Sequence, residues 1–291
     1  MLFVWRFVRP SLLQTYCHSP SGSWALVTGS SDGIGRGFAE ELLDRGFNVL
    51  LHGRNAEKLQ RLQSELAEHF PKRTVDSVVA DAGSYDRPER TVVDKVKSLP
   101  GQLTILVNNV GGVHSSPAHT AFTEVTDIDN QINVNLRFPT QLTQALLPTL
   151  KANKPALILN CGSAAGVIGL PYTVVYSGTK AYNHTFTQAL HAELIAEGMD
   201  KDIEVMGFII ANTESNSNRV AQPDFFTLTS RDCAAGCLDR VGSGNVLEYP
   251  SWKVGLQLRV VAMLPERVRR NTIIDIMRER VEEERATLKS Q

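Results

Sequence analysis

The chain has 291 residues, 42% of them hydrophobic, and a formal net charge of -1, the make-up of a soluble globular protein with enough apolar side chains for a sizeable core. Near-balanced charge without a basic cluster removes any electrostatic reason to expect nucleic acid as a partner. Cys17, Cys161, Cys233 and Cys237 are too few and too irregularly spaced for a disulfide framework or a zinc site, so no metal is expected and a reducing compartment fits. Cys233 and Cys237 fall on one helical face and read as small buried residues.

Residues 1–22 read as an N-terminal arm. Their apolar patch, 1–8, is interrupted by Arg6 and followed by Arg9 and Pro10, short of the roughly 18 apolar residues a membrane span needs. No acidic residue occurs before Asp32, and the arginines and hydroxyl residues also suit a mitochondrial presequence or a peripheral membrane anchor. The expected location is cytoplasmic, with mitochondrial or peripheral endoplasmic reticulum membrane placement as alternatives.

From Trp24 the pattern becomes regular. Residues 24–27 form a short apolar strand running into Thr28-Gly29-Ser30-Ser31-Asp32-Gly33-Ile34-Gly35, then a helix carrying Ile34, Phe38, Leu42 and Leu43. A glycine turn between strand and helix lets a pyrophosphate approach backbone N–H groups at the positive end of the helix. A second strand, 48–51, is followed by Gly53 and Arg54. An acidic residue there would hold the ribose of NAD, whereas an arginine suits the extra phosphate of NADP. Leu59, Leu62, Leu66 and Phe70 mark a helix returning to a third strand, 77–80, which ends at Asp81. Another helix spans about 87–99, and a fourth strand, 103–107, ends in Asn108-Asn109-Val110-Gly111, whose amides suit backbone groups at the sheet edge.

Residues 127–150 read as one long helix with Asn135 among its apolar positions. A buried strand, 156–159, leads to Ser163, and Tyr176 and Lys180 lie four apart in the helix that follows, so both point into one volume. A lysine ammonium one turn away favours a phenolate and makes the tyrosine usable for proton transfer; Tyr and Lys four apart also occur as plain surface neighbours. A sixth strand spans 203–210. Residues 212–229 are polar, with Phe225 and Phe226, as in a flap over an apolar pocket. A short helix from about Arg231 and a connection with Gly242 and Gly244 lead to a last charged helix, about 266–288. Alternating strands and helices predict an α/β, doubly wound Rossmann-type parallel sheet in a single domain, residues 23–291, with a C-terminal helical extension over about 245–291.

The Thr28–Gly35 turn, Asn108-Asn109-Val110-Gly111, Asn135, Ser163 and Tyr176-Ser177-Gly178-Thr179-Lys180 stand in the order and spacing of short-chain dehydrogenases/reductases. The resemblance covers residues 23–212 closely. Arg36-Gly37-Phe38-Ala39, the LVNNVG wording and the C-terminal extension are similar to very-long-chain 3-oxoacyl-CoA reductases and related 17-beta-hydroxysteroid dehydrogenases. The resemblance implies that Tyr176 exchanges a proton with the substrate oxygen, that Ser163 hydrogen-bonds that oxygen, that Lys180 binds the nicotinamide ribose and that Asn135 holds a relay water. It also implies that Gly29, Ser31, Asp32, Gly33, Ile34 and Gly35 cradle the pyrophosphate, Asp81 meets the adenine, and Asn109 lies at the adenosine-side ribose. Thr213 or Ser215 would reach the carboxamide, since the family's usual proline after the sixth strand is replaced by Ala211-Asn212. The family's N-terminal membrane spans have no counterpart in residues 1–22.

Arg54 and this residue set together predict an NADPH-dependent ketoreductase acting on a small-molecule carbonyl with an apolar body: a 3-oxoacyl thioester, a steroid-like ketone or a polyketide intermediate. The alternatives are an NAD-dependent alcohol dehydrogenase of the same family and a non-catalytic NADP-binding scaffold or sensor. A homo-oligomer and lipid or secondary-metabolite biosynthesis are implied by the resemblance alone.

Overall fold

The structure, a computed structural model, describes residues 10–19, 22–112, 125–214 and 224–289. Its strands are β1 (Ser23–Thr28), β2 (Asn48–Gly53), β3 (Val75–Val79), β4 (Gln102–Asn108), β5 (Ala156–Cys161), β6 (Ile203–Phe208) and β7 (Leu247–Glu248). They form one parallel sheet in the order β3-β2-β1-β4-β5-β6-β7, with Ala25 paired to Val49 on one side and to Ile105 on the other. The order reverses between β1 and β4, and such a switch point opens a crevice at the carboxyl ends of the strands. The expected doubly wound Rossmann-type sheet is therefore present.

The helices are α1 (Gly33–Asp44), α2 (Ala56–His69), α3 (Pro88–Lys97), α4 (Val125–Ile132), α5 (Phe138–Ala152), α6 (Ala165–Ile168), α7 (Val174–Ala196), α8 (Ser230–Asp239), α9 (Trp252–Met263) and α10 (Glu266–Lys289). Both faces of the sheet are covered because successive strand residues point to opposite sides. Ala25, Val27, Val49, Leu51, Ile105 and Val107 meet α1, α2 and α8 through Phe38, Leu42, Leu59, Cys233 and Leu238. Trp24, Leu26, Leu50, Leu106 and Ile158 meet α3, α5 and α7 through Val92, Phe138, Leu142, Leu146 and Leu194. Side-chain caps start several helices: Asp32 accepts from Gly33 N, Asn55 from Lys58 N, Thr229 from Asp232 N and Ser251 from Lys253 N.

Two features differ from the sequence reading, and two others add detail to it. The long helix over 127–150 is divided by a π-helical turn, Asn133–Arg137, where the N–H of Phe138 reaches back five residues to Asn133 O. The sixth strand ends at Phe208, and Ile209 N donates to Glu248 O in the two-residue β7, which is too short to leave a periodic signal. Helix α9 opens the C-terminal helical extension expected over about 245–291. Part of the N-terminal arm is docked: Leu13–Tyr16 forms a 3-10 turn, Leu12 N donates to Val241 O, and the buried Tyr16 hydroxyl donates to the Glu204 carboxylate.

Residues 1–9 of the arm and 215–223 of the flap, including Ser215, lie outside the described residues. The ends of the flap are paired across a Thr213–Leu228 bridge, with Leu228 N donating to Asn212 O and Glu214 N to Leu228 O. Among the described residues no helix is long and apolar enough to cross a membrane, and no group of three or more His, Cys, Asp or Glu is placed to hold a metal.

Candidate active site

The glycine turn is held from three strands. Gly29 has φ +65°, in the left-handed region, where a side chain would also press on Val110 Cα at 2.9 Å. A β-carbon on Gly35 would stand 2.1 Å from Gly29 O, so the first turn of α1 closes over the loop only with hydrogen there. Buried Thr28 donates to Val107 O at 3.0 Å and accepts from Asn109 N and Val110 N. The side-chain amide of Asn109 donates to Thr28 O at 2.9 Å and Gly29 O at 3.2 Å, so it supports the turn directly. Asp32 Oδ1 accepts from Gly33 N at 2.7 Å and caps α1, while Ile34 packs on the core beneath.

Around this turn the structure gathers the other cofactor candidates at the carboxyl ends of β2 and β3. The Ser31 hydroxyl lies beside Gly53, where a β-carbon would be 3.5 Å away, and Arg54 follows as an exposed residue. Exposed Asp81 follows β3 closely and accepts from Gly83 N at 3.0 Å. A helix N-terminus that opens from a glycine turn, beside an arginine and an acidic group, is a set suited to a dinucleotide's pyrophosphate, its ribose phosphate and its adenine.

On the other side of the switch point, the loop after β4, the π turn and α7 converge. Asn135 is buried; its Oδ1 accepts from Gly112 N at 2.9 Å, and its NH2 donates to Gly112 O at 3.0 Å and Thr179 Oγ1 at 3.3 Å. A methyl group on Gly111 would stand 2.9 Å from Asn135 Oδ1 and 3.3 Å from Lys180 Nζ, so these three residues share one corner. Buried Lys180 donates to Cys161 O at 2.8 Å, and its ammonium lies 5.7 Å from the centre of the half-buried Tyr176 ring. Ser163 follows β5 and is half-buried; its Oγ accepts from Ala165 N at 3.2 Å. Helix α6 lies directly on α7, since a β-carbon on Gly166 would meet the Lys180 carbonyl carbon at 2.5 Å. Buried Thr213 donates to Ala211 O at 3.3 Å at the foot of the flap.

Several supporting residues escaped the sequence reading. His52 at the end of β2 accepts from Gly29 N through Nδ1 at 3.4 Å, its carbonyl accepts from Ser30 N, and its ring stacks on Phe138. Burial pushes it down to about 4, so it is neutral. Asn108 does not face the sheet edge: its amide donates to Thr143 and Asn160, and Asn160 in turn donates to Thr187, a buried polar ladder from α5 through β4 and β5 to α7. His184, one turn beyond Lys180, accepts from Ser163 N at 3.3 Å. The turn spacing from Lys180 was the only signal for it in the sequence.

Comparisons with known proteins identify the family. Residues 23–224 match the short chain dehydrogenase family. A very-long-chain 3-oxoacyl-CoA reductase of Scheffersomyces stipitis is 34% identical over 230 residues, covering 76% of this chain and 65% of that protein. The Homo sapiens protein of the same name is 38% identical over 184 residues, covering 61% and 56%. The matches thus span between about half and two thirds of those relatives' own length. A solved structure of a short-chain dehydrogenase from Sphingobium yanoikuyae in complex with NADPH superposes with a TM-score of 0.67 at 22% identity, covering 84% of this chain and 97% of that one, a likeness of fold. With the family match running from β1 through β6 over a sheet of this order, the chain belongs to the short-chain dehydrogenase family.

Proposed function

We propose that the chain is an NADPH-dependent ketoreductase that reduces a carbonyl on an apolar small molecule, with a 3-oxoacyl thioester as the first candidate and steroid-like or polyketide ketones beside it. The observation that carries this reading is the corner where Lys180 is fixed on Cys161 O within 5.7 Å of the Tyr176 ring, next to the turn that presents Ser163. The names of the relatives favour the 3-oxoacyl thioester, and the exposed Arg54 after Gly53 favours the phosphorylated cofactor.

When bound, the nicotinamide cofactor supplies the hydride; the chain orients the substrate and moves the proton. Ser163 Oγ and the Tyr176 hydroxyl hydrogen-bond the carbonyl oxygen, and Tyr176 delivers the proton as negative charge develops there. The Lys180 ammonium, buried and held by a main-chain carbonyl, stabilises charge on the tyrosine oxygen. Both amide hydrogens of Asn135 are committed to Gly112 and Thr179, so it accepts from a relay water and does not donate to one. Gly29, Ser31, Asp32, Gly33, Ile34 and Gly35 take the pyrophosphate, with Asn109 stiffening their turn. Arg54 takes the ribose phosphate, Asp81 the adenine and Thr213 the carboxamide. A homo-oligomer completes the reading.

The test is NADPH consumption against a medium-chain 3-oxoacyl-CoA, a 17-ketosteroid and an aromatic polyketide ketone. Turnover of one of them that Tyr176→Phe abolishes, with NADPH affinity kept within about threefold, is the expected result. Turnover that survives Tyr176→Phe would remove Tyr176 as the acid.

A further inference from the structure

Helix α7 grips the turn that carries Ser163 at two points, not one. Lys180 Nζ holds Cys161 O at 2.8 Å, and one helical turn later His184 Nε2 receives the main-chain N–H of Ser163 at 3.3 Å. Tyr176, Lys180 and His184 recur every fourth residue and so share one face of the helix. The imidazole lies close against Gly162: a β-carbon there would stand 2.3 Å from Nε2, 2.6 Å from Cδ2 and 2.8 Å from Phe208 O. His184 is buried, with 7% of its surface exposed, and it touches the serine's main chain without reaching the reacting atoms.

We propose that His184 is a positioning residue for Ser163: as a neutral imidazole accepting the Ser163 N–H, it holds the serine hydroxyl where Tyr176 and the substrate oxygen meet. The inference rests on the ketoreductase reading above. Because the Ser163 amide is a donor, Nε2 must be the acceptor and the ring proton resides on Nδ1. Burial, followed by the neighbouring Lys180 charge, pushes His184 down to about 4, which keeps Nε2 free to accept at neutral pH. Without that acceptor the segment between Cys161 and Ala165 loses its second contact with α7, leaving Lys180 and the bond from Ala164 N to Ile210 O, and a displacement of about 1 Å in a reacting group costs up to a hundredfold in rate.

The test compares His184→Leu, which fills the space without an acceptor, with His184→Gln, whose amide oxygen reaches the position of Nε2. In the carbonyl panel, His184→Leu is expected to lower kcat at least about tenfold while the NADPH dissociation constant stays within about twofold, and His184→Gln to recover kcat to within about threefold of wild type. A His184→Leu enzyme with unchanged kcat, or a His184→Gln enzyme no better than His184→Leu, overturns the proposal. Nitrogen NMR of the wild-type imidazole tests the geometry apart from turnover. An Nδ1–H tautomer with a hydrogen-bonded Nε2 supports it, and an Nε2–H tautomer overturns it. Absence of Tyr176-dependent turnover in the wild type removes the ketoreductase reading, and with it the catalytic purpose of this contact, even where the tautomer is as stated.

Discussion

Lys180 Nζ and the main-chain carbonyl of Cys161 are 2.8 Å apart, so the helix bearing Tyr176 is pinned to the end of β5 two residues before Ser163. One amine thereby joins the helix bearing Tyr176, the proposed proton donor, to the strand end leading to the Ser163 hydroxyl. Lys180→Met removes the charge and leaves the carbonyl unpaired in a buried place. The expected loss is at least about a hundredfold in kcat/KM, with about 1–3 kcal/mol of stability, checked by steady-state kinetics and urea unfolding. Unchanged kcat/KM would separate this contact from the chemistry.

Gly35→Ala places its new carbon 2.1 Å from Gly29 O and 2.6 Å from Asn109 Nδ2, so the glycine turn or α1 must shift. Overpacking of this kind costs about 1–3 kcal/mol, and here it falls on the turn assigned to the pyrophosphate. Thermal unfolding should show the destabilisation, and fluorescence titration a loss of NADPH affinity larger than stability alone explains. Retained affinity would place the cofactor elsewhere.

Arg54 is exposed at the end of β2 and directly follows Gly53. Charge-assisted bonds to a phosphate are worth about 1.5–3 kcal/mol, so Arg54→Ala should weaken NADPH roughly tenfold to a hundredfold and leave NADH nearly unchanged. Equal effects on both cofactors would make Arg54 a solvated loop residue.

The buried His52 sits well below the ordinary histidine value, at about 4, because of burial, and His184 does so for the same reason with Lys180 adding to it. Between pH about 6.5 and about 4 the unfolded chain binds more protons at these positions than the folded one. Stability contributed by the neutral rings is therefore complete above about pH 6.5 and is lost as the pH falls through that window. For fully buried His52 the loss is on the order of 3 kcal/mol at its acid end. Urea unfolding across this range should show the decline, and His52→Gln should lessen it, leaving the part that His184 contributes. An equally steep decline in that variant would assign it to other groups.

Much of this architecture was legible along the chain. The short apolar runs at 24–27 and 48–51, helical spacing through Leu59, Leu62 and Leu66, and the glycine turn before Phe38 are local patterns, and each became the element expected of it. Tyr176 and Lys180 were readable for the same reason, because four residues is one helical turn and both side chains leave one face of α7. The π turn at Asn133–Arg137 was not readable, since one extra residue in a helical turn barely changes the spacing of its apolar residues.

What the sequence determined by itself was the order of elements, the doubly wound sheet, and the residue types able to bind a phosphate and move a proton, because all of these depend on short-range spacing. Tertiary structure alone decided the partners. Thr28 meets Asn109, His52 meets Gly29, Asn108 reaches Asn160, and His184 receives the Ser163 amide, across separations from 21 to 81 residues. A buried histidine or asparagine in the sequence is equally compatible with many partners, and only the packing that removes water obliges each polar atom to find the one beside it.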